Sequence, residues 1–133
     1  MGTSHRETPL ATIERVGPDR VVVRFKPAVR VDAQGIAEIM AVRKALCGSD
    51  RVSILTVLPS EVELDMQVMS TDHYRTNDSA DQLIAVAVVA EGSMGEMMAR
   101  LYYAYFPPTF PCEVFTREEE AALWLEKQVR AKA

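Results

Sequence analysis

The sequence predicts an α/β domain in which helices pack on a mixed β-sheet. β-favouring runs alternate with helical periodicities along the chain. Two runs, Arg51 to Leu58 and Leu83 to Ala90, are short and rich in apolar residues, as expected of strands buried on both faces. The first two runs, Ala11 to Val16 and Arg20 to Lys26, flank Gly17-Pro18-Asp19, a turn signal that indicates a hairpin. The expected element order is β-β-α-β-α-β-α-β-α.

Length and composition indicate one globular domain. The chain has 133 residues, of which 48% are hydrophobic and 26% are charged. We expect a flexible N-terminal tail over residues 1–8, a single domain over residues 9–128 and a frayed C-terminus over residues 129–133. The net charge of −4 argues against a general nucleic-acid-binding protein, because such proteins neutralise phosphates with clustered Lys and Arg.

The sequence also predicts a cytoplasmic protein without a membrane span. No apolar run approaches the ~20 residues that cross a bilayer. The N-terminus lacks the basic-then-apolar pattern of a signal peptide. We expect Cys47 and Cys112 to be reduced thiols, because a domain of this size does not need a disulfide.

The first helix is expected to begin after Asp32, a favoured N-cap residue, and to end at Gly48. Gly35 is expected to weaken its first turn, because glycine loses more conformational freedom in a helix than other residues.

Residues 61–68 admit two interpretations. The strict alternation of apolar side chains from Val62 to Val68 indicates a strand. Alternatively, Asp65 caps a helix that continues to about Arg75. We prefer the helix, because two parallel strands need a crossover and that crossover is usually helical. A polar loop is expected over residues 76–81.

The clearest helix follows the strand at residues 83–90. Ser93 and Glu96 match the S-x-x-E capping box. Six apolar residues then recur with helical spacing and predict an amphipathic helix that ends at Pro107-Pro108. These residues are Met94, Met97, Met98, Leu101, Tyr102 and Tyr105.

The C-terminal region predicts a short strand at residues 111–115 and a final helix that continues to about Gln128. Thr116 and Glu119 match a second capping box at its start. We expect Trp124 to be buried and to contribute strongly to stability.

The chain as a whole resembles the SpoIIAA-like branch of the STAS superfamily, the relatives of bacterial anti-sigma-factor antagonists. The element order carries the resemblance, together with the run Pro111 to Phe115 followed by Glu120-Ala121 and Trp124-Leu125. We expect these residues to pack the last helix against the sheet, so they support the fold and indicate no catalytic or binding role. The resemblance implies a SpoIIAA-like fold and, with the exposed edge strands such sheets leave, a homo-oligomer that is most simply a dimer.

Anti-sigma-factor antagonists exchange partners through phosphorylation of a Ser or Thr in a D-S-S-G-like motif. Asp65 here matches the Asp of the motif, but Met66 and Gln67 occupy the phosphoacceptor position and the one after it. Neither side chain accepts a phosphate. Ser60 and Ser70 flank the region without matching the motif. We therefore expect no phosphorylation switch.

The leading hypothesis is a non-catalytic module that binds a protein partner, or itself, through Asp65, Met66, Gln67 and Met69. The alternative is a carrier of a small apolar ligand or lipid, similar to SEC14-like architectures. In that case the Met- and Tyr-rich face of the helix after Ser93 forms one wall of a pocket, for which Met is adaptable enough.

Gly92, Ser93 and Gly95 open a helix after a predicted strand, so their backbone N–H groups are a candidate site for an anion or ligand. The preferred interpretation is an ordinary capped helix start. The stretch lacks the Lys and the additional glycines of a P-loop or a dinucleotide-binding fingerprint.

No catalytic residue, metal site or cofactor is predicted. His5 falls in the expected tail, and His73 falls in an acidic stretch with Asp72, Asp78 and Asp81. Weak cation binding there is the alternative to a solvated loop, which we prefer because the spacing resembles no metal site.

Overall fold

The computed structural model describes residues 4–77 and 80–132 and shows a six-stranded mixed sheet with helices on both faces. The strands are β1 (Ser4–Glu7), β2 (Ala11–Gly17), β3 (Arg20–Phe25), β4 (Val29–Val31), β5 (Val52–Leu58), β6 (Val62–Leu64), β7 (Leu83–Ala90) and β8 (Cys112–Phe115). The helices are α1 (Ala33–Cys47), α2 (Met66–Met69), α3 (His73–Thr76), α4 (Ser93–Tyr105) and α5 (Glu118–Lys132). The predicted α/β class and mixed sheet are confirmed.

The strand order is β1-β2-β3-β5-β7-β8. The first three strands are antiparallel, and β3, β5, β7 and β8 run parallel to one another. The hairpin predicted at Gly17-Pro18-Asp19 joins β2 to β3. All eight residues of β7 are buried, as the continuous apolar run indicated.

Alternation along the central strands divides the core into two layers. On one face, Val23, Ile54 and Val88 pack in a cluster with residues of α1 and α4. On the other face, Leu55 and Val89 pack against α5. A single helix therefore covers one face of the parallel strands, while several helices share the other.

Helix α1 begins and ends as predicted. The Asp32 carboxylate accepts the Gly35 N–H at 2.8 Å, and Gly48 has a φ of 59°, where glycine is favoured. Gly35 has a role that the sequence did not reveal. A Cβ at this position would lie 2.1 Å from Leu10 Cδ1, so glycine allows the helix to approach Leu10 closely.

The single helix predicted from Asp65 to Arg75 is wrong. Asp65 does cap a helix, but α2 ends at Met69. The hydroxyls of Ser70 and Thr71 both donate to the Gln67 carbonyl, at 3.3 and 2.8 Å, and such bonds compete with helix continuation. A second short helix, α3, then begins, capped by the Asp72 carboxylate.

The strand interpretation of residues 61–68 is correct for three residues. Val62–Leu64 forms β6, which pairs in parallel with β4 in a separate two-stranded sheet. This small sheet was not predicted, because β4 has only three residues and no periodicity can be read from so short a run.

Residues 4–7 and 129–132 form regular secondary structure that the sequence did not predict. Residues 4–7, assigned to a flexible tail, pair with β2 as strand β1, and Glu7 forms an ion pair with Lys26. Helix α5 continues past Gln128 to Lys132, with an Arg130–Glu126 ion pair at 3.3 Å in the predicted frayed region. Both segments are rich in polar side chains, so no apolar periodicity reveals them in the sequence. Their backbone groups are satisfied by strand pairing in β1 and by helical hydrogen bonds in α5.

The capping box predicted for α4 is wrong. Gly92 is the N-cap, and no side chain caps the helix. A Cβ at Gly92 would lie 3.1 Å from the Cα of Ser60, so the close approach of two loops sets the helix start. Glu96 pairs with Arg100 at 3.0 Å instead of reaching back to the helix start.

The capping box predicted for α5 is also wrong. The Arg117 carbonyl accepts the Ala121 N–H at 3.3 Å, which places Arg117, rather than Thr116, at the N-cap position. Glu118 in the first turn receives two hydrogen bonds from Arg24, at 2.8 and 3.0 Å. This pair ties the start of α5 to β3.

Trp124 is partly buried, contrary to the expectation of full burial. Its ring packs against Phe115, with centroids 5.7 Å apart. Leu125 and Ala121 are the residues of α5 that are fully enclosed. The small Ala121 side chain lets the helix lie close to the sheet, and Leu125 supplies the buried area.

We therefore predict that Leu125→Ala lowers the free energy of unfolding by ~2–5 kcal/mol, because it leaves a cavity in a closed core. Leu123→Ala on the same helix is the matched control, since Leu123 is 59% exposed. It should change stability by less than about 0.5 kcal/mol. Urea unfolding monitored by circular dichroism measures both. Equal losses for the two variants would contradict this placement of α5.

Candidate functional site

A cavity of about 160 Å³ lies between the sheet and the helices on its α1 and α4 face. Val23, Ile54 and Val88 form part of its floor, because alternation on β3, β5 and β7 directs these side chains to one face. Ile39 from α1 and Ala99 from α4 line it from the helical side. The lining is almost entirely apolar.

Part of the cavity lining comes from segments that follow the carboxyl ends of parallel strands, since Ile36 comes after β3, and Leu64 and Met69 come after β5. Nine of the lining residues are only partly buried, and we call five of them, from α1, β6, α2 and α4, the mouth of the cavity. They are Ile36, Met40, Leu64, Met69 and Met98. Ligands of open α/β sheets bind at this end of the strands. Leu64 of the small β4–β6 sheet and Met69 of α2 belong to this mouth. The sequence did not predict the small sheet or a separate helix α2.

A buried hydrogen-bond network fixes the segment that borders the cavity. His73 is buried, and its ring Nε2 lies 2.8 Å from the Val68 carbonyl oxygen. The Tyr102 hydroxyl accepts the His73 backbone N–H at 2.9 Å and donates to the Thr71 carbonyl at 2.8 Å. The His73 and Tyr102 rings stack with centroids 5.7 Å apart.

The predicted solvated loop around His73 is therefore wrong for this residue. Asp72 caps α3, and the short helix turns the His73 ring into the core. Burial lowers the pKa of His73, although the Val68 carbonyl and Asp72 act in the opposite direction. A neutral ring that donates from Nε2 to the carbonyl satisfies this geometry.

A buried arginine lies among the apolar residues that line the cavity. Arg43 of α1 is 4% exposed, and burial lowers its pKa, while Cys47 and Tyr74 nearby favour its charged form. An arginine remains protonated in proteins. Sequence analysis missed Arg43. It follows Ile39 by four residues and precedes Cys47 by four, so its position on the buried face of α1 was readable from the spacing.

Two tyrosines lie beside Arg43. The Tyr74 and Tyr103 hydroxyls are 2.7 Å apart, and both side chains line the cavity. Burial raises the pKa of both phenols and raises the pKa of Cys112, which contacts Tyr103, to about 12. All three groups are neutral at pH 7. Cys47 and Cys112 are free thiols.

The residues predicted to bind a partner lie along α2: Asp65, Met66 and Gln67 are at its start, and Met69 is at its end. Met66 is 86% exposed at the start of α2, and Gln67 is exposed beside it. Asp65 caps α2 and lies 3.7 Å from Arg30. Met69 lines the cavity instead. A binding role for this set remains a prediction.

The candidate anion site at Gly92, Ser93 and Gly95 is the first turn of α4, packed against the loop at Ser60. The Gly92 carbonyl accepts the Glu96 N–H at 3.0 Å, as in an ordinary helix start. Anion binding there also remains a prediction.

The apolar stripe predicted on α4 is divided between two sides of the helix. Met98 and Tyr102 face the cavity. Four other residues of the stripe are between 52% and 73% exposed. They are Met94, Met97, Leu101 and Tyr105. We refer to these four as the outer α4 stripe.

Over residues 4–77 and 80–132, no three His, Cys, Asp or Glu side chains are grouped as metal ligands. Asp78, part of the acidic stretch noted in the sequence, lies outside this description. None of the helices in the same residues is long and apolar enough to cross a bilayer.

Comparison with known proteins identifies related chains. A family model described as a domain of unknown function (DUF7793) matches residues 19–129. The structure is similar to that of an uncharacterized protein from the DUF3478 family with a SpoIIAA-like fold, from Shewanella loihica PV-4. The two share 12% sequence identity with a TM-score of 0.57, over 93% of this chain and 92% of that one. The likeness confirms the predicted SpoIIAA-like fold. No curated protein matches the chain.

We predict that buried His73 makes stability depend on pH. Because its pKa is lower in the folded state than in the unfolded chain, its contribution is complete above the unfolded pKa of about 6.5 and is lost as pH falls towards the folded value. The urea midpoint should therefore decrease between pH 7.5 and 5.5. His73→Gln, whose amide can still donate to Val68, should reduce this decrease. The exposed His5 provides the control His5→Gln, which should retain it. Equal behaviour of the two variants would contradict the assignment.

Proposed function

The chain belongs to the DUF7793 family, and from that premise we propose that its domain binds a small, largely apolar molecule in the cavity between the sheet and helices α1 and α4. The size and lining of the cavity carry the proposal. Protein interiors are close-packed and contain few voids larger than a water molecule. At ~24 cal/mol per Å³, a void of 160 Å³ costs roughly 4 kcal/mol if it stays empty.

A ligand that fills the cavity would recover much of this free energy. An apolar cavity of about 150 Å³ stays dry and binds benzene, so the present volume matches a molecule with a compact ring or a short chain. The mouth is rich in methionine, with Met40, Met69 and Met98, and flexible unbranched side chains adapt to an entering ligand.

The floor of the cavity is rigid, whereas its mouth is adaptable. Strands β3, β5 and β7 form a rigid floor, and the Tyr102 hydroxyl holds residues 71–73 in place. A preorganised pocket loses little entropy on binding. The arrangement supports reversible binding of a ligand and requires no reacting group.

Thermal unfolding with toluene as the probe tests the proposal. At ten times its dissociation constant, toluene should stabilise the protein by about 1.4 kcal/mol, which is measurable as a higher melting temperature. Ala99→Leu places a larger side chain in the cavity and should remove this effect. Ala104→Leu makes the same change at an exposed position of α4 and should preserve it.

Two results would contradict the proposal: a wild-type melting temperature unaffected by toluene, or an equal effect of toluene on both variants. Native mass spectrometry of protein from its own host, under conditions that retain bound molecules, then identifies the natural ligand by its added mass.

A second candidate function is self-association, favoured by the outer α4 stripe. Its side chains recur at the spacing of one helix face, and two of them, Met97 and Leu101, line a shallow groove with Arg100 and Ala104. Exposed apolar side chains grouped on one face mark interaction surfaces. A second copy fits best, because an antiparallel pair of α4 helices about a two-fold axis brings Met94 near Tyr105 and Met97 near Leu101 of the other copy.

Sedimentation velocity at high micromolar concentration measures this association. We expect the wild type to dimerise and Leu101→Lys to be monomeric, because a charge would be buried at the centre of the contact. Leu123→Lys, at an exposed leucine of α5, should still dimerise. A wild-type protein that sediments only as a monomer would contradict this second function.

A further inference from the structure

We propose that the ligand of the cavity is a monocarboxylate with a compact apolar body, and that Arg43 binds its carboxylate. The inference rests on the proposed function and specifies the chemical class of its ligand. The observation that supports it is the position of a buried arginine in the cavity lining.

The cavity lining contains a positive charge and no negative charge among the described residues. Among the described residues that line the cavity, Arg43 is the permanent cation and none is a carboxylate. His73 is held neutral by burial. Tyr74 and Tyr103 remain protonated at neutral pH for the same reason. The polar end of the cavity is therefore positive, and the remainder of the lining is apolar.

A guanidinium in this position suits a carboxylate. It presents paired N–H donors that match the two oxygens of a carboxylate, and such bonds are stronger than those between neutral groups. Arg43 also interacts with groups of the protein. Because a guanidinium has five N–H donors, it can keep these interactions and bind a ligand as well.

The position of Arg43 along α1 gives the ligand a direction. Ile36 lies at the mouth, and Arg43 follows it by seven residues, which corresponds to about 10 Å along the helix axis. The carboxylate would therefore bind on the Arg43 side of the cavity, and the apolar body would extend along α1 towards Ile36 and the methionines at the mouth.

Benzoate and benzamide provide a matched pair of probes, because they have nearly the same shape and differ in charge. Titration calorimetry measures the affinity of each for the wild type and for Arg43→Met, Arg43→Lys and Arg130→Met. Arg130 is exposed on α5 and serves as the control. Toluene binding is measured on every variant to show that the cavity is intact.

We expect the wild type and Arg130→Met to bind benzoate about tenfold or more tightly than benzamide. Arg43→Met should bring this ratio close to one while toluene still binds, and Arg43→Lys should retain part of the preference. If Arg43→Met does not fold, the wild-type ratio and Arg43→Lys decide the matter.

The results separate the two proposals. Equal binding of benzoate and benzamide to a wild type that binds toluene would overturn the carboxylate assignment and leave the cavity function intact. A benzoate preference that survives in Arg43→Met would overturn the role of Arg43. Failure of all three probes to bind the wild type would overturn the proposed function together with the inference.

Discussion

The fold depends on one constraint: strand β7 is buried along its whole length and must be covered on both faces. The coverings are unequal. On one face α5 lies close to the sheet through Ala121 and seals it with Leu125. On the other face α1 and α4 approach from either side, and the space that they do not fill is the cavity. The cavity therefore arises from the way the helices are distributed over the two faces of the sheet.

The Tyr102 hydroxyl connects this architecture to the rim of the site. It joins α4 to the backbone of residues 71 and 73 through two hydrogen bonds. A buried hydroxyl without partners is unfavourable, so this pairing also restrains the segment that follows the mouth. The hydroxyl pair of Tyr74 and Tyr103 is a second link between α3 and α4.

Patterns with a strong periodicity predicted the fold well. The hairpin at Gly17-Pro18-Asp19, the Asp32 cap and the buried strands β5 and β7 were all readable, because local propensity and burial agree there. The capping boxes at Ser93 and Thr116 failed for a common reason. Each is a local motif, whereas the observed helix starts are set by contacts distant in sequence, such as Gly92 with Ser60 and Arg24 with Glu118. The cavity could not be predicted for the same reason, since volume is a property of the packed whole.

The family model begins at residue 19, in the hairpin turn, so it leaves out strands β1 and β2. Ile13 and Ala11 of β2 are fully buried, and β1 protects the outer edge of β2 with polar side chains. The cooperative folding unit is thus larger than the stretch that defines the family. A shortened chain that starts at the family boundary would lack an inner strand of the sheet, and it would expose β3 as an apolar edge open to aggregation.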